Sequence, residues 1–274
     1  MLEHSMLYPK TTLTRRRISM DGMWKFCLDE KAVGEKEGWM DGIPGEEMIP
    51  VPASFQDFYT EKDIREYTGD FWYETDFFVP GEWEGREILL RFGAATHRAG
   101  VYVNGILITE HEGGFLPFSA DVTTVVRYDS YNKVVVKVNN ELNCTNIPCG
   151  ETITLPNGKK MTKPYFDFFN YAGINRPVRI YTTPAAYIED ITLVPDIDGD
   201  TGVVNYEIKT AGSVCEDEVR IRILDADGNE VAAADGAGGT VRIPDARGSR
   251  TSIRRVSLTG RISTRRHSAS ARWR

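Results

Sequence analysis

The sequence predicts an all-β protein, an antiparallel sandwich followed by the opening of a second one, and three observations carry that prediction. Helical periodicity is nearly absent along the 274 residues, whereas apolar runs and alternations of strand length recur. Between two apolar runs, Val101–Val103 and Ile106–Ile108, lies the pair Asn104-Gly105. Such a pair favours a type I′ turn, whose twist matches the flanking strands. Gly, Pro and Asp then separate the strand-like segments, as in packed antiparallel sheets.

The elements follow in order. Phe71 to Val79 places Phe71, Tyr73, Thr75, Phe77 and Val79 on one side, the period of a half-buried strand. Glu87–Phe92 and Lys133–Val138 are short apolar runs of strand length. From Asn139 to Asn170 there is little regular pattern; a loop that long in a compact domain is usually functional or folded by its own contacts. A second rhythm starts after Thr183-Pro184. Tyr187–Val194 and Val203–Ile208 are strand-like, and Val219 to Ile223 alternates strictly, one face apolar and one cationic. Asp225 to Asn229 reads as a turn, followed by strands at Glu230–Ala234 and Thr240–Ile243. Their spacing suggests an immunoglobulin-like sandwich, which needs about seven strands; this one is expected to stop short, near Ala246.

The charge pattern breaks at the same place. Residues 247–274 hold nine arginines, nine serines or threonines and no acidic residue, leaving 24 basic and 40 acidic side chains in residues 1–246. An acidic body argues against nucleic acid as its partner. A basic tail can bind nucleic acid or membrane, but the one-step change of composition favours an aberrant ending, such as an out-of-frame translation, disordered or loosely packed. No apolar run is long enough to span a membrane, so no membrane partner is expected. Met1 to Thr14 lacks the apolar stretch and small-residue cleavage site of a signal peptide. Cys27, Cys144, Cys149 and Cys215 follow neither a zinc spacing nor a compact disulfide framework. Cys144 and Cys149 are close enough to meet, yet free thiols in the cytoplasm are the expected state.

The densest chemistry lies in Tyr165–Tyr181, where Asp167 sits within a run of five aromatics, ahead of Asn170 and the pair Asn175-Arg176. Aromatic faces stack on the C–H faces of sugars, while a fixed carboxylate or amide takes hydroxyl hydrogen bonds. The plainer alternative is an apolar loop plugging one end of a sandwich.

Asp167 to Tyr171, continuing Ala172-Gly173-Ile174, then Arg176 and Val178, resembles the Asp-Phe-Phe-Asn-Tyr-Ala-Gly-Ile-x-Arg-x-Val stretch of the β-glucuronidases of glycoside hydrolase family 2. The resemblance runs from about Met6 to about Ala246. Asp21 to Phe26 is similar to the first strand of that family's sugar-binding domain, and Val51-Pro52-Ala53-Ser54-Phe55 to its Val-Pro-x-Ser-Phe loop. Asp63 to Tyr67, Gly69, Trp72-Tyr73, Thr96-His97, Val101 to Gly105, His111 to Phe115, Pro117-Phe118, Asp121 to Thr123 and Val138 to Asn143 supply further blocks in the same order. Each block alone is weak; their order points to glucuronidase over the related galactosidases.

The resemblance implies a jelly-roll β-sandwich, the sugar-binding domain, over residues 6–184. It implies a partial immunoglobulin-like β-sandwich over 185–246, with 247–274 outside the family pattern. A (β/α)8 barrel is expected to follow in the family and to supply two glutamates, one protonating the glycosidic oxygen and one attacking the anomeric carbon with retention. The sequence contains neither, so no catalytic residue is assigned and the polypeptide is expected to be inactive alone. Glu110 and Glu112 beside His111, Glu46-Glu47, and Glu82 and Glu84 read as surface charges.

Asp167 is the one residue carried over as substrate-binding. In relatives the matching aspartate reaches the mouth of the barrel and bonds a sugar hydroxyl, and charge-assisted hydrogen bonds are the strong kind. Phe168, Phe169 and Tyr171 are expected mainly to pack and fix the loop, and Arg176 to form a structural salt bridge. His97 and His111 are expected to be satisfied strand histidines, with no metal and no cofactor. The partner is a glucuronide, bound only with the barrel, and full-length relatives assemble as homo-oligomers. The alternatives are a stand-alone carbohydrate-binding module, a purely structural fragment, and a piece of a β-galactosidase-like enzyme. An open, self-complete cleft would favour the module, and a flat apolar surface at Phe166 to Tyr171 would favour the enzyme portion.

Overall fold

The computed structural model describes residues 8–212, 219–225, 228–244 and 246, together with backbone strands at 255–262 and 265–271. Contacts divide the chain into two compact units, one of Arg17–Thr182 and one that gathers residues 8–16 with the chain from Thr183 onward.

The first unit opens with β1 (Arg17–Ser19), β2 (Gly22–Leu28), β3 (Met48–Val51), β4 (Asp70–Val79), β5 (Glu87–Phe92) and β6 (Arg98–Val103). It continues with β7 (Ile106–Glu112), β8 (Phe118–Asp121), β9 (Ser130–Asn139), β10 (Gly150–Thr154), β11 (Lys160–Pro164) and β12 (Val178–Thr183). One sheet has the order β3-β2-β4-β9-β6-β7, the other β1-β12-β5-β8, and β10 pairs with β11 alone. The predicted face of β4 is the core face. Phe71, Tyr73, Phe77 and Val79 pack in one cluster with Ile88, Leu90 and Phe92 of β5 and Val178 and Ile180 of β12. Each fully buried apolar side chain there contributes about 1.5–3 kcal/mol.

The opposite face of β4 is not the solvent face that simple alternation predicts. Trp72 is buried there with Trp39, Ile43, Tyr102 and Val135. Glu74 beside it is also buried, and accepts from Ile43 N at 2.7 Å while pairing with Lys133 Nζ at 3.0 Å. A segment laid over the sheet covers this half of its outer face, and these two partners satisfy the Glu74 carboxylate there.

The Asn104-Gly105 hairpin forms as its sequence dictates. Both residues adopt left-handed φ, 51° and 81°, joining β6 to β7. In the stretch without evident pattern, β10 and β11 form a second hairpin whose turn contains Asn157 and Gly158, the latter at φ 82°. Among the described residues the α-helices are two single turns, α1 (Phe55–Phe58) and α2 (Lys62–Arg65), and no helix is long and apolar enough to cross a membrane.

The second unit consists of β13 (Tyr187–Asp198), β14 (Thr201–Ala211), β15 (Arg220–Leu224), β16 (Glu230–Asp235), β17 (Gly238–Ile243), β18 (Arg255–Ile262) and β19 (Arg265–Ala271). The sheets are β13-β14-β17 and β16-β15-β18-β19. Both contribute to one core of Ile191, Val204, Tyr206, Ile208, Val219, Ile221, Ile223 and Val241. The cationic face of β15 meets acids across the hairpin, Arg220 with Asp235 at 3.3 Å and Arg222 with Glu230 at 2.5 Å. These exposed pairs add little stability.

Within the Arg/Ser-rich ending the described residues form two backbone strands, β18 and β19. Strand β18 pairs antiparallel with β15, setting Val256 across from Ile223 and Leu258 across from Ile221, and β19 pairs with β18. Residues 247–254, 263–264 and 272–274, and Cys215, lie outside the described residues.

Candidate functional site

Leaving β11, the chain makes an exposed excursion from Tyr165 to Tyr171 before it dives back into the sandwich at Ala172. Its near end is tied to β10 and the segment before it: Tyr165 N donates to Cys149 O at 3.2 Å and the Tyr165 hydroxyl to Glu151 Oε2 at 3.0 Å. Asp167, at the centre, is exposed. Two pairs of flanking aromatics pack on each other, Phe166 with Phe168 at 4.3 Å between ring centroids and Phe169 with Tyr171 at 5.2 Å. Tyr165 and Phe168 leave 57% and 55% of their surface open. Phe168, Phe169 and Tyr171 thus form an exposed aromatic platform in the loop that carries Asp167.

What fixes the loop lies beneath it. Phe55, wholly buried against Phe26 and Phe71 with ring centroids at 5.4 and 4.8 Å, anchors α1, and α1 presents Gln56. The Gln56 side chain accepts from Ala172 N at 2.8 Å and donates to Asn170 O at 3.4 Å. Phe55 N donates to Ala172 O, and Ala53 N to Ile174 O. Thr96 and Gly173 form an isolated bridge, and Asn175 Nδ2 donates to Thr96 Oγ1 at 2.8 Å. Gly173 holds φ 135°, and any Cβ there would stand 2.8 Å from both Ala53 O and Tyr73 Oη. Only glycine fits.

His97 joins this assembly from the other side. It is buried, with 1% of its surface open, and lies just before β6 instead of on a strand. Its Nε2 is 2.6 Å from Asn170 Oδ1, while Asn170 Nδ2 donates to Asn140 O at 3.1 Å. Burial pushes the His97 imidazole below its ordinary value; the bond to Asn170 opposes that and the Arg98 charge adds to it. The expectation of a satisfied histidine holds for one nitrogen only, because Nδ1 has no hydrogen-bond partner among the described residues. His111 stacks on Phe118 at 4.2 Å and bonds Gly113 O at 3.1 Å.

Arg176 forms no salt bridge among the described residues; its guanidinium donates to Phe115 O at 3.1 Å, so it pins a backbone loop instead of pairing with an acid. Glu46, Glu47, Glu82, Glu84, Glu110 and Glu112 are all exposed. Cys144 and Cys149 are exposed free thiols, and Cys27 is also free. Among the described residues no three His, Cys, Asp or Glu stand together as a metal site. The roles of Gln56 and Asn140 follow from no period or turn rule, although Gln56 directly follows the Val51–Phe55 block and Asn140 lies within the Val138–Asn143 block of the resemblance.

Two antiparallel sheets packed around one apolar core make this unit a β-sandwich domain. Residues 18–184 match the family described as glycosyl hydrolases family 2, sugar binding domain, and the chain belongs to that family. It is similar to the β-glucuronidase of Paenibacillus borealis, 42% identical over 252 residues that cover 88% of this chain and 41% of that protein. It is also similar to the β-glucuronidase of Chlorocebus aethiops, 38% identical over 266 residues, 90% of this chain and 41% of that protein. Among solved structures, the Ruminococcus gnavus β-glucuronidase superposes with a TM-score of 0.89 at 43% identity, covering 100% of this chain and 46% of that one. The same enzyme in complex with D-glucuronic acid gives 0.89 at 42% identity, covering 99% and 48%. The chain thus spans about two fifths of the curated relatives it matches, and its likeness is to the N-terminal portion of a β-glucuronidase. These relatives are named glucuronidases, which agrees with the first reading of the sequence over the galactosidase one.

Proposed function

We propose that this chain is the sugar-contacting, non-catalytic portion of a retaining β-glucuronidase, with Asp167 accepting a hydroxyl hydrogen bond from the glucuronide. The observation that carries the reading is the exposed Asp167 on an exposed aromatic loop, held from beneath by Gln56 and Asn170. A carboxylate without a protein partner keeps its lone pairs for a ligand, and hydrogen bonds to a charged acceptor are worth about 1.5–3 kcal/mol each.

The acid and the nucleophile of a retaining glycosidase are carboxyl groups about 5–5.5 Å apart. In this proposal bond cleavage belongs to a catalytic barrel acting with this portion, because the chain spans about two fifths of the β-glucuronidases it matches. The exposure of Tyr165, Phe168, Phe169 and Tyr171 supports that reading over a self-complete binding module, because an apolar patch is normally covered by a partner. In the same proposal the protein works in the cytoplasm, where the free Cys144 and Cys149 are stable, and assembles as a homo-oligomer when complete. The test is to offer a chromogenic glucuronide to the purified 274-residue chain and to the same chain joined to a family 2 barrel. No turnover is expected from the first and turnover from the second; hydrolysis by the 274 residues alone overturns the division of labour.

A further inference from the structure

We infer that His97 is the positioning residue of the Asp167 loop: its Nε2–H fixes the Asn170 side chain, and through it the platform from Tyr165 to Tyr171. The inference rests on the reading of Asp167 as the sugar contact. It adds a residue that does not touch sugar and acts through another.

The geometry determines the direction of each bond. A Cβ on Gly114 would lie 2.7 Å from His97 Nδ1, so the backbone of Gly114 is packed over that nitrogen. Nδ1 has no acceptor among the described residues, and a proton placed there would be buried with nothing to receive it. The neutral ring therefore carries its proton on Nε2, which makes Nε2 the donor to Asn170 Oδ1 at 2.6 Å. That in turn orients the Asn170 amide, leaving Nδ2 to donate to Asn140 O at 3.1 Å. The two assignments agree without reference to each other.

Both ends of this relay are rigid. The His97 backbone donates to Asn139 O and accepts from Gly113 N, so the ring is fixed by three segments of the sandwich. Asn140, 1% exposed, is held by Gly69 N on its Oδ1 at 2.9 Å and by its own Nδ2 on Tyr67 O at 2.8 Å. Asn170 is the point where this framework enters the loop, three residues after Asp167. Gln56 grips the backbone at Asn170 and Ala172, but the Asn170 side chain is gripped by His97 and Asn140. Without His97 the platform keeps its ties at Tyr165 and through Gln56 and loses the bond from His97 to the Asn170 side chain.

The experiment measures amide hydrogen exchange in the 274-residue chain for peptides spanning 165–171 and, as reference, for β4 and β9. In His97→Ala the loop is expected to exchange about tenfold faster, the local-opening equivalent of one buried hydrogen bond, with β4 and β9 unchanged. His97→Gln, whose amide can donate in place of Nε2, is expected to restore most of the protection. Where His97→Ala does not fold, Asn170→Ala removes the same bond from the other side, and the loop is expected to loosen likewise. A nitrogen-15 spectrum of the wild-type ring should show the Nε2–H tautomer. Unchanged loop exchange in a folded variant, equal loosening of β4 and β9, or an Nδ1–H tautomer overturns the inference. None of these measurements uses a sugar, so failure of the relay is distinguishable from failure of Asp167 as the sugar contact.

Discussion

Gln56 and Ala172, 116 residues apart in the chain, are joined by a hydrogen bond of 2.8 Å from the Ala172 amide to the Gln56 side-chain oxygen. Both residues are buried, Gln56 with 2% of its surface open and Ala172 with none. The second branch of the same amide reaches Asn170 O, so one side chain holds the base of the platform at two points. Replacing Gln56 by leucine keeps the volume but leaves the Ala172 amide buried without an acceptor. That costs about 1–3 kcal/mol, read as a lower urea midpoint at unchanged slope. A midpoint equal to wild type means that the bond is dispensable.

Gly173 makes the sharpest prediction about the backbone. Its φ of 135° is one that L side chains rarely adopt, and Ala53 O and Tyr73 Oη occupy the place of a Cβ. Gly173→Ala is therefore strained twice over, once in the dihedral and once by contact, and is expected to lose upward of about 1–3 kcal/mol. Thermal melting of the purified variant tests this, with Gly158→Ala as comparison. Gly158 also has positive φ, 82°, but nothing stands within 4 Å of its Cβ position, so it should lose less.

These two residues show where the sequence was readable and where it was not. Local chemistry was legible: Asn104-Gly105 needs only its own φ angles, and the Ile221 and Ile223 face of β15 follows from a period of two. The β10–β11 hairpin carried a local signal too, Asn157-Gly158, but its strands bury little and show no clean alternation. The site was half legible. Asp167 and its aromatics announce themselves within seven residues, whereas their supports, Gln56, His97 and Asn140, come from three distant segments. No period or turn rule brings those together; only the closed sandwich does. Likewise the burial of Trp72 and Glu74 depends on Trp39 and Ile43 folding over the outer face, which the alternation in β4 cannot announce.

Stability should depend on pH through His97, which is buried, and His111, which is half-buried. Burial pushes both His97 and His111 below the ordinary imidazole value, which in the unfolded chain is about 6.5. Between the folded and unfolded values the unfolded chain binds more protons, so stability rises with pH there. The contribution is fully present above about pH 6.5 and is lost as pH falls toward the folded values. Melting near pH 5 should come a few degrees below melting near pH 7.5, since about 1 kcal/mol moves the midpoint of a domain this size by roughly 2–4 °C. The diagnostic is the slope between the two conditions. His97→Gln should flatten it, and an undiminished slope would place the titration elsewhere.

Asp167→Ala separates stability from function. The carboxylate is exposed, and no hydrogen bond or ion pair binds it among the described residues, so its removal should change the unfolding free energy by no more than about 0.5 kcal/mol. Taking Asp167 as the sugar contact proposed above, the same change in the chain joined to a family 2 barrel removes the acceptor offered to a sugar hydroxyl. Losing a charge-assisted hydrogen bond of about 1.5–3 kcal/mol lowers kcat/KM roughly 10- to 150-fold. If the bond is formed equally in the ground and transition states the loss appears in KM, and if it tightens as the ring flattens toward the oxocarbenium ion it appears in kcat. Asp167→Asn, which keeps an oxygen but not the charge, should fall between the two. A variant with wild-type melting and full kcat/KM would remove Asp167 from the sugar site. A variant that loses activity only because it melts would return the residue to the scaffold.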